Sequence, residues 1–178
     1  MPRSENLIYF AHGQESGPWG HKITALASVG EKLGWTCESP DQRFTHDPQL
    51  RAEHFLESIS SNHRSLVLVG SSMGGFVCAD ASAHVNPAGL FLMAPAIDLP
   101  GFKLNQRMKS DCICIIHGWR DDIVPVTNSM ELAKKHRANL HVLDADHGLA
   151  EQLPMIENIF AFFLRTVSDR MKEPLMKS

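Results

Sequence analysis

The sequence predicts an α/β fold built as a three-layer α/β/α sandwich, a sheet of about six mostly parallel strands with helices on both faces. Three observations predict it. Short apolar runs of strand length alternate along the chain with longer segments of helical spacing. Each apolar run gives way to polar or glycine-rich residues, as strands do where they emerge into loops. No internal repeat, low-complexity linker or break in composition divides the chain, so one domain over residues 1–178 is expected.

In chain order, the buried strands are expected at LIYFA from Leu7, WTCESP from Trp35, SLVLVG from Ser65, GLFLMA from Gly89, CICIIHG from Cys112 and NLHVLDA from Asn139. Between them, helical spacing covers Trp19 to Leu33, Pro48 to Ser60, Gly74 to His84, Val126 to Arg137 and Pro154 to Ser168. Gly34 is placed to end the first helix, and Asp47 to cap the second with Pro48 at its first position. The ordered core is expected over about 6–168. The polar segment DRMKEPLMKS, broken by Pro174, reads as a frayed tail.

Composition narrows the function classes. A chain of 178 residues can bury about 70% of its unfolded surface, and its 43% hydrophobic and 21% charged residues are those of an ordinary packed protein. Lys and Arg total 17 against 20 Asp and Glu, a net charge of −3 that offers no broad basic field for nucleic acid. Cys37, Cys78, Cys112 and Cys114 include no C-x-x-C pair and read as reduced core thiols, with Cys112 and Cys114 on one face of a strand. The first residues lack a secretory h-region, and no stretch approaches the roughly 20 apolar residues of a membrane helix, so a cytoplasmic location without a membrane span is expected. Oligomeric state leaves no signal.

Chemistry enters at Val69-Gly70-Ser71-Ser72-Met73-Gly74-Gly75. The bare G-x-S-x-G pattern arises by chance in about one chain in twenty, so its context carries the argument: a strand before it and a helix after it. In that context Ser72 projects as a nucleophile from a strained turn, with Gly70 and Gly74 admitting the closely passing chain. The helix N-terminus favours negative charge on an attacked carbonyl, and the Met73 N–H is one oxyanion donor. Ser71 competes, but only Ser72 has glycine at both −2 and +2. A glycine-rich turn that only binds a ligand is the rival reading. No lysine follows the glycines as in a Walker loop, and G-x-G-x-x-G is missing.

A serine hydroxyl needs a base, and the base needs a partner to hold its tautomer. CICII runs into His117-Gly118-Trp119-Arg120-Asp121-Asp122-Ile123-Val124-Pro125, two adjacent carboxylates past a strand end, with Asp98 a remoter alternative. Here the chain resembles the α/β-hydrolase superfamily, in which H-G-x-x-D-x-x-V-P after the penultimate strand is a recurrent acid loop. The resemblance selects Asp121 as the acid and leaves Asp122 to solvent or to the cap of the next helix. It also selects His147, in Asp144-Ala145-Asp146-His147-Gly148-Leu149 after the final strand, as the base among ten histidines. His12 and His117, each before a glycine at a strand end, read as backbone-bonded structural residues. No H-E-x-x-H or other zinc spacing occurs, and neither metal nor cofactor is expected.

The loop His12-Gly13-Gln14-Glu15-Ser16-Gly17-Pro18 resembles the superfamily's H-G-x loop, which makes the Gln14 N–H the second oxyanion donor. The resemblance runs from Leu7 to about Leu164. The chain starts at what would be the third strand of the full fold, and Ile97 to Asp111 is too short for a cap, which implies a minimal, lidless member. Small bacterial esterases are the nearest likeness, with acyl-protein thioesterases a looser one. The implied activity is hydrolysis of a carboxylic ester or thioester of a small or acyl substrate through an acyl-Ser72 intermediate. Met93, Pro95, Trp119 and Leu149 are expected as a shallow apolar substrate wall. A serine nucleophile argues against dehalogenase, epoxide-hydrolase and cysteine-dependent lactone-hydrolase chemistry. The rival class is a binding protein that keeps the fold without catalysis.

Overall fold

The computed structural model describes residues 5–172. The elements run β1 (Glu5–Ala11), α1 (His21–Lys32), β2 (Thr36–Glu38), α2 (Pro48–Ser58), β3 (His63–Ser71), α3 (Met73–Val85), β4 (Gly89–Met93), β5 (Cys112–Gly118), α4 (Val126–His136), β6 (Asn139–Leu143) and α5 (Leu153–Lys172). A 3₁₀ turn at Ala150–Gln152 leads into α5.

The six strands form one sheet in the order β2-β1-β3-β4-β5-β6, every pairing parallel. The step from β1 to β2 runs one way along the sheet, and the steps from β2 onward run the other. Parallel crossovers are right-handed, so a change of direction moves the connecting helix to the other face. The packing follows that rule. Ile23, Leu26 and Ala27 of α1 join Ile156, Phe160 and Phe163 of α5 over Ile8, Phe10, Val67, Val69 and Phe91. Phe55 of α2, Phe76 and Val77 of α3 and Leu132 of α4 cover Leu7, Tyr9, Leu68, Leu90 and Leu92 on the opposite face. Successive strand residues point to opposite faces, and both faces are apolar, which is why the central runs are hydrophobic without alternation.

Boundary residues act as the sequence predicts. Asp47 accepts from the N–H groups of Gln49 at 2.8 Å and Leu50 at 3.0 Å, and Gly34 takes φ +82° beyond the end of α1. Residues 94–111 pass from β4 to β5 without a helix or cap, pinned where Phe102 meets Phe76 edge to face at 5.8 Å. Cys112 and Cys114 share one core face, and burial pushes the Cys37 and Cys114 thiols up to about 12.

Two of the expected buried strands are only partly covered. Thr36 and Glu38 of β2 are exposed and β6 is half-buried, because each is a sheet edge with one neighbour. The strand read from Trp35 to Pro40 is paired over three residues only. α5 continues past Ser168 to Lys172, with Arg170 Nη1 donating to the Asp111 carbonyl at 2.6 Å, so Asp169–Lys172 is helix rather than frayed chain. Pro174 lies outside the described residues. No described helix is long and apolar enough to cross a membrane.

Candidate active site

The strand order reverses between β1 and β3, and loops leaving the C-terminal ends of two such strands diverge and open a crevice. Ser72 stands at that point. It follows β3 directly and adopts φ 55°, ψ −119°, a conformation rare for a side-chain-bearing residue. Its neighbours enforce the turn. The Ser72 N–H donates to Met93 O at 2.9 Å, and its carbonyl accepts from Gly75 N at 2.9 Å and Ala96 N at 3.0 Å. A Cβ on Gly70 would lie 2.1 Å from Gly74 O, and one on Gly74 would lie 1.9 Å from Ala11 O, so neither position tolerates a side chain.

His147, in the loop after β6, has Nε2 2.9 Å from Ser72 Oγ and Nδ1 2.8 Å from Asp121 Oδ2. Asp121 stands in the loop after β5, its side chain closed off from solvent. Oδ1 accepts from Ile123 N at 2.9 Å and Val124 N at 2.8 Å. Burial alone would raise the pKa of this carboxyl. The bonds from Val124, His147 and Ile123 outweigh burial and hold it below the ordinary carboxylate value. Asp122 is exposed, Asp98 does not bond His147, and Ser71 is buried beside Ser72 without bonding the histidine.

His117 is more than the backbone-bonded residue expected. Its Nε2 lies 2.9 Å from Val124 O and also 3.0 Å from Asp121 Oδ2, while Nδ1 lies 2.7 Å from Ser129 Oγ. With two acceptors at Nε2, that nitrogen carries the proton and donates, and Nδ1 accepts from the Ser129 hydroxyl. Asp121 thus accepts three hydrogen bonds and has the His117 ring nitrogen beside it.

The loop after β1 faces Ser72 across the crevice, a Cβ on Gly13 falling 3.6 Å from Ser72 Cβ. His12 matches its structural expectation. Gln42 N donates to its Nε2 at 3.0 Å, which leaves Nδ1 to donate to Gly13 O at 2.8 Å. Burial lowers the His12 pKa, with Arg51 acting in the same sense and the Gly13 bond against it. Arg51 escapes sequence reading: it is 0% exposed, donating through Nη1 to Gly13 O at 3.3 Å and through Nε to Thr45 O at 2.8 Å. The available signal was its place four residues before Phe55, on the buried side of α2. These donors fix the Gly13 carbonyl, and Gln14, the next residue, lines the cavity beside Ser72. Met73 opens α3, and its N–H has no acceptor within the helix.

Ser72 and His147 open into a cavity of about 570 Å³, lined further by Gln14, His21, Lys22 and Ile123. The expected apolar wall is not there. Met93 and Leu149 are 1% and 0% exposed and join the core under α5, Pro95 packs on Gly75, and Trp119 stands 59% exposed at the surface. None of the four lines the cavity, because the reversal between β1 and β3 places it beside α1 rather than over β4 and β5. Among the described residues, no three His, Cys, Asp or Glu side chains are grouped as a metal ion would require.

Comparison with known proteins agrees with this architecture. A candidate hydrolase of the alpha/beta superfamily from Xanthomonas campestris pv. campestris is 31% identical, with 90% of this chain and 99% of that one covered and a TM-score of 0.81. An α/β serine hydrolase without a lid, from Xanthomonas campestris, has 20% identity, a TM-score of 0.69 and coverage of 92% and 83%. The Pyrococcus furiosus esterase Pf2001 has 17% identity, a TM-score of 0.74 and the same coverage. At such identities the last two speak for the fold alone. No curated protein matches the chain. Residues 6–109, more than half of it, match the uncharacterised protein family UPF0227. With that match and the 31% identical relative in place, the chain belongs to UPF0227 and to the α/β-hydrolase superfamily, as a member without a lid.

Proposed function

We propose that the protein hydrolyses a carboxylic ester or thioester, with Ser72 as nucleophile, His147 as general base and acid, and Asp121 orienting the histidine. The observation that carries the reading is the unbroken hydrogen-bonded series from Ser72 Oγ through His147 to Asp121 Oδ2, at 2.9 and 2.8 Å. In the neutral state Asp121 holds the proton on His147 Nδ1, which leaves Nε2 free to accept from the Ser72 hydroxyl. As the oxygen attacks the acyl carbon, its proton passes to Nε2. Negative charge builds on the carbonyl oxygen, where the N–H groups of Gln14 and Met73 stabilise it. The imidazolium then protonates the departing alcohol or thiol, and a water, deprotonated by the same nitrogen, releases the acid from Ser72.

The test is hydrolysis of p-nitrophenyl esters from acetate to palmitate, and of a palmitoyl thioester, by wild type and Ser72→Ala. Folding is checked by circular dichroism. The variant is expected to lose about a thousandfold or more in kcat. The optimum chain length separates a short-acyl esterase from a depalmitoylating enzyme. Unchanged activity in Ser72→Ala would remove the nucleophile. A folded wild type that is inert to these substrates and to a fluorophosphonate would turn the reading toward a binding protein.

A further inference from the structure

The wall of the cavity opposite the catalytic series carries a charge that acyl transfer leaves unused. Lys22, in the first turn of α1, lines the same cavity as Ser72 and His147. Other cations near the sheet's C-terminal edge have partners: Arg43 pairs with Asp41 at 2.6 Å, Arg120 with Asp144 and Glu151 at 2.7 and 2.9 Å, and Arg51 donates to carbonyls. Lys22 is half-buried and makes neither an ion pair nor a hydrogen bond among the described residues. Removing an ammonium from water without a partner is unfavourable, and a group of opposite charge restores what is lost.

The chain's own carboxylates do not fill that role. Asp121 is occupied by three donors, and Asp146 is exposed and accepts from the Leu149 N–H at 3.2 Å. Both act on Lys22 from a distance, opposing the fall in its pKa that burial causes. The other titratable groups lining the cavity are His147, committed to Ser72 and Asp121, His12, whose two ring nitrogens are bonded to Gly13 O and Gln42 N, and His21 and Glu15, both exposed, where water screens them. One partly dehydrated cation therefore faces the cavity.

We infer that Lys22 is an anion subsite, and that the substrate is an ester or thioester bearing a carboxylate or phosphate within reach of it. This rests on the reading of Ser72 as nucleophile and narrows it. Lys22 binds the anionic end while the acyl carbon sits at Ser72. A carboxylate on the acyl side and one on the leaving group are chemically alike at the ammonium, and matched substrates separate them.

Two pairs serve, mono(4-nitrophenyl) glutarate with its methyl ester, and 4-acetoxybenzoate with its methyl ester, each assayed with wild type, Lys22→Arg and Lys22→Met. In wild type the charged member of one pair is expected to exceed its neutral partner about tenfold or more in kcat/KM, a charge-assisted contact being of that size. The favoured pair identifies which side carries the charge. Lys22→Met is expected to abolish the preference and Lys22→Arg to keep it. No preference in either pair, a preference that survives Lys22→Met, or an equal fall for both members of a pair would overturn the subsite. A second arm is independent of turnover: calorimetric titration of Ser72→Ala with glutarate and with inorganic phosphate, with and without Lys22→Met. Binding weakened about tenfold by Lys22→Met supports the subsite even if Ser72→Ala retains esterase activity and the nucleophile assignment fails. Absent binding, or binding indifferent to Lys22→Met, overturns it.

Discussion

Asp121 is where protonation and folding meet. Its pKa is held below the ordinary value of 3.8, so the folded state binds this proton less readily than the unfolded chain does. The associated stability is fully present above the unfolded pKa and is lost as pH falls through the folded one. Urea denaturation of wild type and Asp121→Asn from pH 7 downward is therefore expected to give a gap that is constant to about pH 5 and narrows in stronger acid. The same variant should lose about 10³- to 10⁴-fold in kcat, because an amide can donate to His147 Nδ1 and favour the wrong tautomer. A second residue-scale prediction concerns Gly74, where the nearest atom to an added Cβ is a backbone carbonyl that cannot swing aside. Gly74→Ala should destabilise by roughly 3 kcal/mol or more in the same assay. Ser72, Gly70, Gly74, Asp121 and His147 were legible because each belongs to a short pattern at a strand end. Arg51 and Lys22 were not, since a cation on a helix normally reads as a solvated face, and the Asp121 contact of His117 was not, since it depends on how the loop after β5 folds back.

At the scale of elements, every helix and strand was legible and the ends were less so. Hydrophobic runs identify strands, but they do not reveal which strands finish at the edges, so β2 and β6 read as buried when one side of each lacks a neighbour. The failed apolar wall has the same origin. Met93 and Leu149 do sit near strand ends, but the loop beside the crevice is chosen by strand order, which no local pattern carries. Asp47 offers a clean test of a local signal. It takes two N–H groups at the start of α2, the helix that brings Arg51 to the Gly13 carbonyl. Asp47→Ala is expected to cost about 1 kcal/mol, read as a lower urea midpoint with an unchanged slope.

For the whole molecule, the two faces of the sheet close differently. The face under α2, α3 and α4 is covered by helices interleaved with the strands they protect. The other face depends on α1 and α5, where Phe160 packs on Phe91 at 4.9 Å and beside Phe163 at 6.3 Å. Phe160→Ala should destabilise by about 3–5 kcal/mol, measured by denaturation, through the void left between α5 and the sheet. Vectorial synthesis gives this asymmetry a further meaning. Phe91 leaves the ribosome long before Phe160 does, and until α5 docks the β4 and β5 side of that face stays wet. At about 5–20 residues per second the nascent chain exposes that apolar face for several seconds. His147 arrives in the same final stretch, so the chain completes its reactive centre only as it loses the surface that a chaperone would hold.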